Sequence, residues 1–189
     1  MKIPTLFRLG AFATILTAVG VSIANLTYFF GRVDTVFYIW FAFVVYFLWV
    51  FVYMALFAAQ VKQQNLFIFL GFLLLEIGTI LAIVGNAVQG LVVTGFLTEA
   101  QMEATTNPSI LAISAITLWT TVIGSILFGY GTFRAGIFSR WSGILMILLG
   151  VLWVFNENPV VFPIYAVLLT ITMGWFGWAM LKFTNTIQV

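Results

Sequence analysis

Apolar residues run along this chain in six blocks, each closed by a short polar or charged break. The first block runs from about Leu9 to Phe30, the second from Val36 to Ala59 and the third from Leu66 to about Phe96. The fourth runs from Pro108 to Phe133, the fifth from Trp141 to Phe155 and the sixth from Val160 to Leu181. Within each block the apolar positions are continuous rather than alternating. That pattern predicts spanning helices and argues against a transmembrane barrel, whose strands alternate. A helix of about 20 apolar residues crosses a hydrocarbon core of about 30 Å. The fifth block is the shortest, because Asn156, Glu157 and Asn158 cut it off, and flanking residues or a thinned bilayer must absorb the mismatch. The predicted architecture is an all-α membrane protein, one six-transmembrane-helix bundle over residues 1–189.

The breaks carry their own signals. The longest, "TEAQMEATTNPS", offers Thr98 and Gln101 as a capping box for a short surface helix. Asn107 before Pro108 is a good helix start. The stretch reads as a solvated connector. At the amino terminus, Lys2 and Arg8 followed by an apolar run and "SIA" imitate a signal peptide; an uncleaved first helix is the reading preferred here.

Composition sharpens the class. Hydrophobic residues make up 63% of the chain and charged residues 6%, against about 25% charged in an ordinary soluble domain. There is no cysteine and no histidine. Disulfides, thiolate nucleophiles, cysteine-held clusters, His-ligated haem and the commonest zinc ligands and general base are therefore excluded. No catalytic residue, metal site or cofactor is expected.

The charges arrange themselves on the predicted topology. Lys2, Arg8, Lys62, Arg134, Arg140 and Lys182 all fall on one side; Arg32, Asp34, Glu99, Glu103 and Glu157 fall on the other. The positive-inside rule places both termini in the cytoplasm. The net charge of +2 and pI near 9.1 then report orientation in a bilayer, and nucleic acid is not expected as a partner. Trp40 and Trp153 fall near the outer interface and Trp141, Trp175 and Trp178 near the inner one, where amphipathic rings accumulate. Trp49 and Trp119 lie deeper, and their indole N–H groups predict that they face other helices. Gly20 and Ala24, four apart in the first helix, would suit close docking on a partner helix.

One residue breaks the apolar pattern. Glu76 sits in "LFIFLGFLLLEIGTILAIVGNAVQG", about ten residues from the cytoplasmic end of its helix, so about 15 Å deep and close to the bilayer midplane. A central acid costs about 2.5–3.5 kcal/mol on insertion scales, and no basic residue lies at that depth in another helix. A protonated, hydrogen-bonded side chain is the expected state. Thr79, Asn86 and Gln89 share a broad sector with Glu76, bordered by Gly78, Ala82 and Gly85. Facing it, the fourth helix has a stripe of Ser114, Thr117, Thr121, Ser125 and Thr132, and the second helix offers Tyr38, Tyr46 and Tyr53. The hydroxyl stripes, and Thr14, Ala18, Ser22 and Asn25 in the first helix, read first as packing residues. Intramembrane acids are by default candidates for function. The site proposed from sequence is a proton-binding or polar-ligand site of Glu76, Asn86, Gln89 and Thr79, helped by Tyr46, Thr117 and Thr121.

The stretches "FRLGAF", "LFAAQVKQQNLFIFLGFLLLEIGTIL" and "FRAGIFSRWSGILMILLGVL" resemble a loose group of bacterial six-helix membrane proteins of unknown function. Its members share an Arg-Ala-Gly-x-x-x-Arg-Trp turn between the fourth and fifth helices. The resemblance implies a bacterial cytoplasmic membrane and transfers no site. In this chain Arg134, Gly136, Arg140 and Trp141 fit an interfacial anchor.

Two functions compete. A non-enzymatic scaffold or accessory subunit, partnered by lipid and by other membrane proteins, is slightly preferred, and it predicts no continuous polar cavity. The alternative is a small-solute or proton-coupled transporter, or its substrate-binding membrane subunit. That predicts an outward-opening cavity lined by Gln89, Asn86 and aromatic residues. An enzyme ranks last, because Glu76 has no second carboxylate at its depth.

Overall fold

The computed structural model describes residues 3–29, 36–60, 62, 65–96, 108–155 and 158–186. Among them there are six helices and no strand: α1 (Ile3–Phe29), α2 (Val36–Gln60), α3 (Leu66–Val93), α4 (Pro108–Ala135), α5 (Arg140–Trp153) and α6 (Val161–Thr186). Five of these, all but α5, are long and apolar enough to cross a membrane. The connector at 97–107, with its Thr98–Gln101 capping box, lies outside the described residues, as do the side chains of Asn25, Tyr38 and Gln89.

Local chemistry explains the boundaries. α1 begins at Ile3, six residues before the predicted Leu9; Pro4 falls in its first turn, where the missing N–H has no intrahelical partner to lose. Asn65 caps α3: its side-chain oxygen accepts from the Phe67 amide at 2.9 Å. Its amide nitrogen donates to the Gly131 carbonyl at 3.4 Å, which ties this turn to α4. The far end of α3 stops at Val93, three residues short of the predicted Phe96, because Gly95 takes φ +79° and turns the chain out of the helix. α4 ends on the same device at Gly136, φ +66°. Ser139 then caps α5. With 14 residues, α5 is about 21 Å long, shorter than a hydrocarbon core. α6 runs on to Thr186, five residues past the predicted Leu181.

The six helices form a closed ring. Each packs on its neighbours in sequence, and α6 packs back on α1. Neighbours are antiparallel: on α3 and α4, Ile68 lies against Gly131, Gly71 against Phe128, and Gly78 against Thr121. Glycines seven residues apart (71 and 78, 124 and 131, 143 and 150) build the α3–α4–α5 side of the ring. This is the small-residue, close-approach packing of membrane helices, on a period that keeps one seam facing its partner. On the other side, Gly177 of α6 meets Ala11 and Ile15 of α1, and the Ser22 and Thr170 hydroxyls are 3.2 Å apart. The start of α1 and the end of α6 consequently lie at one end of the bundle, called here the terminal end.

The fully buried core, including Leu56, Ile68, Phe128, Met173, Phe176 and Met180, gathers towards that end. The perimeter is apolar and exposed: Phe12, Leu16 and Val19 on α1, and Phe47, Phe51 and Met54 on α2. Two expectations are corrected. Gly20 is buried against Val45 of α2, so it docks a helix of this chain and not a partner. Trp119 is 53% exposed on the outside of α4, whereas Trp49 is 6% exposed and faces inward.

A candidate ligand cavity inside the helix ring

Residues from all six helices line one cavity of about 160 Å³. On α2 its wall runs from Ala42 to Tyr53, about 16 Å of helix axis. On α2, α3 and α4 the lining lies at the middle of the helix, and on α1 and α6 (Val21, Ala24, and Phe162 to Met173) it lies in the half away from the termini. The ring architecture explains it: helices that touch mainly their two neighbours leave a centre that only large side chains can fill. Towards the terminal end Phe128, Phe176 and Met180 fill it. Towards the other end the inward positions include Ala24, Ala42, Gly78 and Ala82, which are too small.

The lining divides into an aromatic side and a hydroxyl side. Tyr46, Trp49 and Tyr53 come from α2, and Trp153, Phe162 and Tyr165 from α5 and α6. Trp49 and Tyr53 rings lie 5.1 Å apart, and Trp153 and Tyr165 rings 5.0 Å apart. Facing them are Thr79 of α3 and Thr117, Thr121 and Ser125 of α4. Thr79 and Thr117 donate to the carbonyls one turn back, Leu75 and Ile113, at 2.8 Å each. Their oxygens retain lone pairs that can accept from a guest.

The sequence-derived site is brought together only in part. Tyr46, Thr79, Thr117 and Thr121 line the cavity, but Asn86 does not. Asn86 is half-buried and donates to its own Ala82 carbonyl at 2.9 Å, so its amide closes on its own helix. Glu76 is half-buried beside the cavity, and one carboxyl oxygen is shielded with no hydrogen-bond partner among the described residues. The hydrogen-bonded acid expected from sequence is therefore not found at that oxygen. Ser114 is exposed and Thr132 fully buried, so the α4 stripe does not act as one surface.

Sequence reasoning missed Tyr165, Trp153 and Phe162 as cavity residues. Tyr165 lies one turn inside the start of α6; nothing in an all-apolar context tells which way such a ring points. For Tyr46 and Tyr53 the signal was their seven-residue spacing.

At the terminal end, Arg134 stacks over Tyr130 at 5.9 Å, Arg140 over Phe133 at 5.8 Å and Lys182 over Trp178 at 5.3 Å. Trp141 is exposed. Charged heads above aromatic rings suit a headgroup layer. No family model, curated protein or solved structure matches the chain.

Proposed function

We propose that this protein is a membrane-embedded binding protein for a small ring-bearing molecule with hydrogen-bonding groups, and not a catalyst. The observation that carries the proposal is the cavity lined by all six helices, with aromatic rings on one side and hydroxyls on the other. Aromatic faces provide stacking area, and a few placed hydroxyls fix orientation, as in ligand pockets generally. A cavity of about 150 Å³ holds a benzene ring, so this one suits a single ring with one or two substituents. The scaffold reading calls for a filled interior. Larger side chains at Ala24, Ala42, Gly78 and Ala82 would supply it, and the chain does not carry them.

The basic residues and stacked cations at the terminal end support an orientation with both termini in the cytoplasm of a bacterial inner membrane. The cavity then spans the middle of the bilayer and extends into its outer half, from where a solute-capturing subunit would receive its ligand. Binding without turnover fits an inventory in which Glu76 is the one acid within the six blocks.

The test uses 4-fluorophenol with the protein in lipid nanodiscs, read by fluorine NMR. A resonance displaced by the aromatic walls, distinct from lipid-dissolved probe, is expected. It should vanish in Ala24→Leu/Ala42→Leu, which puts six carbons into the cavity. Fluorobenzene should bind about two- to tenfold more weakly, the worth of one hydrogen bond. No displaced resonance, or one that survives the double variant, refutes the reading.

A further inference from the structure

The α3–α4 seam is closed over half its length and open over the rest. The register that puts Gly71 against Phe128, Gly124 against Leu75 and Gly78 against Thr121 continues to the pair Ala82 and Thr117, and then to Gly85 and Ser114. At the first three levels an added Cβ on the glycine would lie within 3.0 Å of the opposite helix, meeting its backbone at Gly71 and Gly124 and the Thr120 and Thr121 hydroxyls at Gly78. Ala82 and Thr117 both line the cavity. One turn further, a Cβ on Gly85 would meet nothing within 4 Å.

The behaviour of α4 agrees. Residues 112–116 are all exposed. Five consecutive helical positions sample every side of the cylinder, so among the described residues α4 is loosely covered on all sides from 112 to 116. The seam therefore opens where the cavity lies behind it, and its lips are small: Ala82, Gly85, Ser114 and Thr117.

Depth decides what meets the opening. α3 has 28 residues and is about 42 Å long, so Gly85 lies about 8 Å from its centre. That is inside the roughly 15 Å half-thickness of a hydrocarbon core, where the surroundings are acyl chains. A cavity sized for one ring cannot enclose a lipid, but an open apolar seam lets the rest of a longer molecule stay outside.

The geometry points to a ligand dissolved in the bilayer: a ring bearing a hydroxyl group that seats in the cavity, with an apolar tail leaving between α3 and α4 past Gly85. This rests on the cavity reading above and adds the ligand's class and route. A water-soluble solute arriving from the bulk is the competing source, and it needs no lateral seam.

The experiment compares 4-fluorophenol with 2-fluoro-4-dodecylphenol in nanodiscs, on the full chain and on Gly85→Phe and Ser114→Phe. Each substitution fills the seam where there is free space, so the fold tolerates it, and retained binding of the short probe reports that it did. Wild type is expected to bind both probes. The substitutions should weaken the dodecyl probe about tenfold or more, the effect of a steric block of a few carbons, and leave 4-fluorophenol unchanged. If the dodecyl probe binds the substituted proteins as well as wild type, or never binds, the lateral seat is wrong while the cavity stands. If neither probe binds wild type, the cavity reading fails and takes this inference with it.

Discussion

Adding the same methyl group at two positions of one helix should have opposite effects. Gly71 and Gly85 lie on the same face of α3, two heptads apart. A Cβ at Gly71 would fall on the Phe128 backbone nitrogen, 2.7 Å from its Cα and 2.8 Å from its Cβ. Ordinary contact begins near 3.4 Å, and backbone cannot swing aside as a side chain can. The α3–α4 pair must separate by up to about an ångström at this level, which also strips contacts from the buried Ile68 and Leu75. Overpacking of this kind costs about 1–3 kcal/mol, and three close backbone-side atoms put Gly71→Ala in the upper half. Alanine returns up to about 1 kcal/mol as the better helix former, leaving a net loss of about 1–2 kcal/mol. At Gly85 the steric cost is absent, so Gly85→Ala should be neutral or stabilising by up to about 1 kcal/mol. The two variants should differ by about 2–3 kcal/mol, about thirty- to a hundred-and-fiftyfold in the unfolding equilibrium. Reversible unfolding in mixed micelles titrated with SDS, followed by helix circular dichroism, reads this directly. Equal stabilities, or a larger loss at Gly85, would refute the open seam.

Other consequences of the structure are equally accessible. In single-tryptophan variants in bilayers with brominated acyl chains, Trp119 should be strongly quenched and Trp49 protected, because the first is exposed and the second faces the cavity; the reverse order would overturn the rotation of α4 or α2. Glu76→Met should stabilise the protein by about 1–3 kcal/mol in the same micelle assay, since a buried, unpartnered oxygen is removed; a loss of that size would show that the carboxyl has a partner. Gly136→Ala should cost about 1–2 kcal/mol, as φ +66° strains any residue with a Cβ, and it should leave 4-fluorophenol binding intact because the turn lies at the far end from the cavity.

The residues that legibly marked the site were the ones whose chemistry clashes with lipid. Glu76 announced itself, and Thr79, Thr117, Thr121 and Tyr46 followed from helical spacing; all sit at or beside the cavity. Asn86 carried the same signal, yet it does not line the cavity and its side-chain nitrogen donates to the Ala82 carbonyl. Spacing can place a side chain on a face, but it cannot tell whether the group turns back to its own backbone.

The chain's order of apolar blocks and polar breaks was enough, by itself, to determine an all-helical protein with membrane-length helices, their approximate ends and the shortness of α5. Those features follow from residue-by-residue solvation and from caps such as Asn65 and Ser139. The closing of α6 onto α1, the outward turn of Trp119, the arrival of Tyr165 in the same cavity as Thr79 and the parting of α3 from α4 beyond Gly78 were decided only in the tertiary structure. In water, hydrophobicity separates inside from outside. In a bilayer the lipid is as apolar as the protein interior, so the inward face is chosen by shape: where glycines let backbones meet, the ring closes, and where small residues face each other without meeting, it leaves room.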